Sequence, residues 1–170
     1  SVYNAKKPDS QDICFVPDGD YATFIRRHTG KTDVPGDFTD ESGKILGQHK
    51  GITHYTVGQR KGLGVPSNEP LYVKAIDPAR NRVVLSGNAA LYSRTLTAGD
   101  LNWIAWDTPP RQFQCSAKTR YRQTEQPCTV TVTAGGRAEV CFDMPQRAIT
   151  PGQAVVFYEG DTVLGGGTIL

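Results

Sequence analysis

No CxxC pair occurs in the 170 residues, and no histidine stands beside a cysteine in metal-ligand spacing. A zinc site is therefore not expected. There is no apolar run long enough to span a membrane and no secretory pattern. Four cysteines, Cys14, Cys115, Cys128 and Cys141, would suggest disulfides in a secreted chain. Without such a pattern the expectation is a cytoplasmic protein with mostly free thiols. Neither a Walker-A loop nor a dinucleotide fingerprint is present, and no internal repeat is apparent. A strong charge of either sign is also missing. The net charge is +2, with 21% charged and 38% hydrophobic residues, which excludes a disordered chain and gives no nucleic-acid signal in bulk.

What is present is punctuation. Gly, Pro and Asp separate short runs of strand formers along most of the chain. One helix is expected near residues 21–28, where Tyr21, Phe24, Ile25 and His28 share a face after the N-cap region 18–20. Residues 71–76 and 82–85 read as a hairpin around Asp77-Pro78. Further strands are expected at 96–103, 113–121, 128–133, 138–142, 154–158 and 162–169, with turns at Gly135-Gly136 and 159–161. Six closely spaced strands suit a small closed barrel, which leaves no exposed edge. The fold class expected is mostly β: a small central β-domain with one short helix, then a six-stranded C-terminal β-barrel. The boundary is placed within residues 87–93.

Local charge and turns mark the candidate sites. Residues 111–122 carry Arg111, Lys118, Arg120 and Arg122 and no acid, a confined basic patch suited to phosphate. If residues 118–123 are extended, Lys118, Arg120 and Arg122 share one face, with Thr119 and Tyr121 on the other. Such a row beside an aromatic can hold backbone phosphate and stack on a base; a plain solvated strand face has the same composition. Residues 47–64 hold five glycines, two histidines and three cations without an acid. They read either as a backbone cradle for phosphate or as a turn-rich connection. Gln153, in the turn Pro151-Gly152-Gln153, presents an amide that can donate and accept. Cys14 lies between a polar stretch and Ile13-Phe15, a setting that fits an inert buried thiol or a reactive one. Cys115 and Cys128 alternate with apolar residues and read as core thiols, whereas Cys141 shares its face with Glu139 and Asp143.

Together these segments resemble the tRNA 2-thiouridylase family. The matching pieces are SQDICF at 10–15, GQRKGLG at 58–64, KTRYRQ at 118–123, TPGQ at 150–153 and LGGGTI at 164–169. Their order and spacing cover the chain from about residue 6 onward. The resemblance implies a sulfurtransferase that makes 2-thiouridine at the tRNA wobble position. It implies an N-terminal PP-loop domain that uses ATP with Mg2+ to adenylate the uridine. It also implies a central β-domain and a C-terminal barrel that helps hold tRNA. Residue by residue, Cys14 corresponds to the persulfide cysteine, and Arg120, Tyr121 and Gln153 correspond to tRNA-contact positions. The chain departs from the pattern in having no SGGxDS-type PP-loop and no upstream partner cysteine. The expectation is therefore a fragment that is inactive alone: 1–17 ends the N-terminal domain, 18–90 forms the central domain and 91–170 the barrel. The implied partners are tRNA and a persulfide-donating sulfur-carrier protein or cysteine desulfurase, with the protein a monomer. The competing readings are a stand-alone RNA-binding β-barrel in which Cys14 is inert, and an interaction domain with no RNA role.

Overall fold

The computed structural model describes Thr23, Phe24, Arg27, His28, Gly30 and residues 33–170. Thr23, Phe24, Arg27 and His28 are α-helical. The Phe24 and His28 rings stack at 4.0 Å, and His28 Nδ1 meets the Phe24 carbonyl at 3.2 Å. The rest of the expected helix lies outside the described residues.

The first sheet has four short strands, β1 (Gly36–Thr39), β2 (Ile45–His49), β3 (Tyr72–Asp77) and β4 (Arg82–Ser86), in the order β2-β1-β4-β3. β3 and β4 form the expected antiparallel hairpin, while β1 runs parallel to β4. Phe38, Val73, Val83 and Leu85 form its core, joined by Tyr55 and Leu63 from the glycine-rich segment. That segment also covers the outer edge of β3: Gly58 N–H donates to the Val73 carbonyl and Val73 N–H to the Gln59 carbonyl. An exposed edge is thereby paired. His49 is buried edge-to-face against Phe38 and Tyr55. Its Nδ1 accepts from Gly51 N–H, so the ring proton sits on Nε2, 3.2 Å from the Asn81 carbonyl.

A 3₁₀ turn, Asn88–Leu91, leads into β5 (Tyr92–Trp103), β6 (Gln112–Lys118), β7 (Gln126–Val132), β8 (Ala138–Arg147), β9 (Ala154–Glu159) and β10 (Thr162–Ile169). These close into a six-stranded barrel in the order β10-β5-β8-β7-β6-β9. Alternation sets its interior: Leu96, Ala98, Ala117, Cys128, Val130, Val140, Phe142, Val155, Phe157, Leu164 and Ile169 form one buried cluster. The mostly β class and the barrel agree with the sequence reading.

Barrel closure explains LGGGTI. A Cβ on Gly165 would lie 2.5 Å from the Asn102 carbonyl, one on Gly166 2.7 Å from the Val155 carbonyl, and one on Gly167 2.6 Å from the Gly99 carbonyl. β10 fits between β5 and β9 only because these residues lack side chains. Gly167→Val is expected to destabilise the chain by about 1–3 kcal/mol through overpacking, read as a lower urea midpoint; an unchanged midpoint would refute the closure argument.

One local expectation fails. Residues 118–123 are not extended: β6 ends at Lys118, and 119–123 form a turn. The Gln123 side-chain oxygen accepts from both Thr119 N–H and Thr119 Oγ1–H, and Gln123 N–H donates to the Arg120 carbonyl. A local side-chain bond outcompetes the ladder. Thr119 is buried beneath the turn.

Candidate nucleic-acid interface

The turn changes what the basic segment presents. Alternation would put Tyr121 opposite the cations. Instead Lys118, Arg120, Tyr121 and Arg122 line one cleft of about 730 Å³ together with Gln153, which lies on the turn before β9. Three residues singled out in the sequence, Arg120, Tyr121 and Gln153, therefore converge although the last lies far along the chain. Thr56 and Val57 of the glycine-rich segment form a further part of the lining, with Ala154, Val156 and Tyr158 as its floor from β9.

Each side chain is positioned by an identifiable contact. Arg120 donates from Nη2 to the Ala148 carbonyl at 2.8 Å while remaining exposed. One hydrogen bond fixes the guanidinium and leaves other donors toward the cleft. Tyr121 is 81% exposed at the tip of the turn. Gln153 is exposed, and its backbone is clamped by Gln153 N–H to the Thr150 carbonyl and Ile169 N–H to the Gln153 carbonyl. Gln123 is tied on its other side to Gln146 at 2.6 Å, which anchors the turn to β8.

Not all of the positive charge is available. Lys118 forms an ion pair with Glu125 at 3.1 Å, and its ammonium sits 5.0 Å from the Tyr158 ring centroid. The Ser116 hydroxyl and then the Lys118 ammonium hold the Glu125 carboxyl below its ordinary range. Arg120 and Arg122 carry the exposed charge of the cleft. In the glycine-rich segment the Gly58 amide is spent on β3, and Gln59 folds the tip by accepting from Thr56 N–H and donating to the Lys61 carbonyl. Among the described residues no group of three or more His, Cys, Asp or Glu side chains could hold a metal ion. His54 pairs with Asp33 at 3.1 Å.

The cysteines separate by environment. Cys14 lies outside the described residues. Cys128 is buried and Cys115 half-buried, directly opposed across β6 and β7 with sulfurs 3.6 Å apart. The hydrogen bond to Cys115 and burial both push the Cys128 thiol up, and the same bond lowers Cys115. Both serve the core, as alternation implied. Cys141 is exposed on β8, in line with its acidic neighbours on that face.

Two partners of the cleft residues were not legible in advance. Ala148, the acceptor for Arg120, has a left-handed backbone, φ 53°, which nothing local signals. Glu125 neutralises Lys118 only because β6 and β7 form a hairpin.

Two domain families match. Residues 22–87 match the tRNA methyl transferase PRC-barrel domain and residues 93–169 the aminomethyltransferase beta-barrel domain. The tRNA-specific 2-thiouridylase MnmA of Acetivibrio thermocellus is 52% identical over 168 residues, 99% of this chain and 47% of the relative. Those of Carboxydothermus hydrogenoformans and Geotalea uraniireducens are 48% and 52% identical, over 99% and 97% of this chain and 46% and 44% of theirs. The chain belongs to the tRNA-specific 2-thiouridylase family. It spans about half the length of these curated relatives. Within the family's two matched domains, the cleft lies where the barrel meets the glycine-rich segment of the first domain.

Proposed function

We propose that this chain is the tRNA-holding and sulfur-carrying part of a tRNA-uridine 2-sulfurtransferase that makes wobble 2-thiouridine. The observation that carries the reading is the convergence of Arg120, Tyr121 and Gln153 on one cleft with exposed Arg122. Arginines hold phosphate, the tyrosine ring stacks on a base or sugar, and the glutamine amide reads a polar edge. The units are 1–17, the end of an ATP-using domain; 18–90, the central domain; and 91–170, the barrel.

Uridine's C2 oxygen is a poor leaving group, and adenylation by ATP with Mg2+ makes it a good one. Neither a Walker-A loop nor an SGGxDS-type PP-loop occurs in the sequence, so this reading assigns ATP to the remainder of the protein. Cys14 carries sulfur as a persulfide received from a sulfur-carrier protein or cysteine desulfurase. A persulfide delivers a soft sulfur nucleophile without free sulfide. The complete enzyme acts as a cytoplasmic monomer; among the described residues no helix is long and apolar enough to cross a membrane.

Salt dependence tests the tRNA part. With Lys118 paired to Glu125, Arg120 and Arg122 neutralise about two phosphates, giving a log–log slope of about −1.4 to −1.8 for unmodified tRNA binding to the chain. A slope near zero would contradict the reading.

A further inference from the structure

The glycine-rich segment and the left-handed Ala148 meet at Gly58. Arg147 ends β8, and its side chain leaves the barrel for the first sheet. Its guanidinium lies 5.3 Å from the centroid of the Tyr72 ring on β3, and its Nε donates to Asn88 Oδ1 at 3.2 Å. Its Nη1 would lie 3.5 Å from a Cβ built on Gly58. The next residue, Ala148, is 2% exposed with φ 53°, a conformation a non-glycine residue keeps only when its surroundings hold it. Ala148 N–H donates to the Leu91 carbonyl at 2.8 Å. The Ala148 carbonyl accepts from Arg120 Nη2 and from Thr150 Oγ1. The same atom that seats the cleft arginine thus belongs to the residue docked against the other domain.

Gly58 is the matching half. It has φ 88°, and a Cβ there would lie 3.1 Å from the Ala148 Cβ and 3.8 Å from Arg120 Nη2. Only glycine combines that backbone with so close an approach. Thr56 and Val57, immediately before it, line the cleft. The first domain reaches the cleft through this joint.

We infer that Arg147, seated with Ala148 against Gly58, Tyr72 and Asn88, is a positioning residue: it locks the two domains together and thereby sets Arg120 and the far wall of the RNA cleft in their binding geometry. Gly58, the first residue of GQRKGLG, serves this docking. The inference rests on the tRNA reading for what the cleft holds, but the joint itself has a separate readout. Arg147 does not line the cleft, and on this inference it neutralises no phosphate. Its loss leaves the contacts present but no longer pre-ordered, which lowers affinity without changing ion release.

The test uses the intact chain, with Arg147→Ala and the milder Asn88→Ala and Tyr72→Leu. Affinity for an unmodified tRNA transcript is expected to fall about three- to tenfold in Arg147→Ala, the cost of ordering one or two side chains. The salt slope should stay at the wild-type value, whereas Arg120→Ala should reduce it by about 0.7–0.9. In parallel, amide hydrogen exchange should quicken at residues 56–59 and 119–123 while β7 amides stay protected, showing an intact barrel. A reduced slope in Arg147→Ala would make Arg147 a phosphate contact and overturn the inference. Unchanged exchange at both segments would overturn it whatever happens to RNA binding. If Arg147→Ala loses β7 protection, the milder variants decide by the same exchange criterion. If the wild-type chain binds no tRNA while exchange responds as stated, the joint stands and the tRNA reading falls.

Discussion

Arg120→Ala is expected to weaken tRNA binding about 10- to 100-fold, the loss of about 1.5–3 kcal/mol carried by hydrogen bonds to a charged group. Arg120 is held by one bond to the Ala148 carbonyl, so its remaining donors are presented in a fixed direction. Because phosphate is common to all tRNAs, different cognate species should lose affinity to a similar degree. Lys118→Ala serves as the contrast. Lys118 is already paired with Glu125 and stacked on Tyr158, so its removal should change affinity less than Arg120→Ala does. Equilibrium binding by fluorescence anisotropy gives the numbers. Equal losses for the two variants would mean that phosphate is gripped by the whole basic segment and not by the turn. Wild-type affinity for Arg120→Ala would remove this residue from the interface.

Cys14→Ser in the complete enzyme should abolish 2-thiouridine formation while leaving ATP-dependent adenylation and tRNA binding largely unchanged. A serine hydroxyl has the thiol's shape but cannot carry a sulfane sulfur, so the sulfur step alone is lost. A packing residue would behave differently, since its replacement lowers stability and every activity together. Thiol labelling supplies an independent check on the chain. Exposed Cys141 should label early and buried Cys128 last. A carrier thiol at Cys14 should label ahead of both Cys115 and Cys128. Thionucleoside content of tRNA, measured by mass spectrometry, decides the first part; persistence of 2-thiouridine in Cys14→Ser would rule out the carrier role.

The architecture was legible because it rests on period-two alternation and on turn residues. β7, β9 and β10 fall within two residues of their expected bounds. β8 runs on from 142 to Arg147 because Arg94 caps the Phe142 and Asp143 carbonyls where β5 and β8 slip out of register. An exposed Met144 and a proline at 145 hide that continuation, and an irregular stretch is where a strand tolerates proline. β1 and β2 are too short to show a pattern. The turn at 119–123 was misread because alternation cannot anticipate a glutamine bonding back four residues.

The cleft itself was only half legible. Arg120, Tyr121 and Gln153 came from the family resemblance, not from spacing. Their meeting depends on β6 and β9 being barrel neighbours, a non-local pairing that no window of sequence contains. The neutralising Glu125 and the wall at Thr56 and Val57 depend on the same kind of long-range placement.

Ultraviolet crosslinking of unmodified tRNA to the complete enzyme, with peptides mapped by mass spectrometry, tests most directly whether this cleft holds tRNA. Crosslinks on this chain are expected at Tyr121 and its neighbours in 119–123 and at or beside Gln153, and they should diminish in Arg120→Ala. Crosslinks confined to other surfaces, such as the exposed Arg60-Lys61 tip or the outer face of β5 and β8 around Thr97 and Cys141, with none in those two turns, would contradict it.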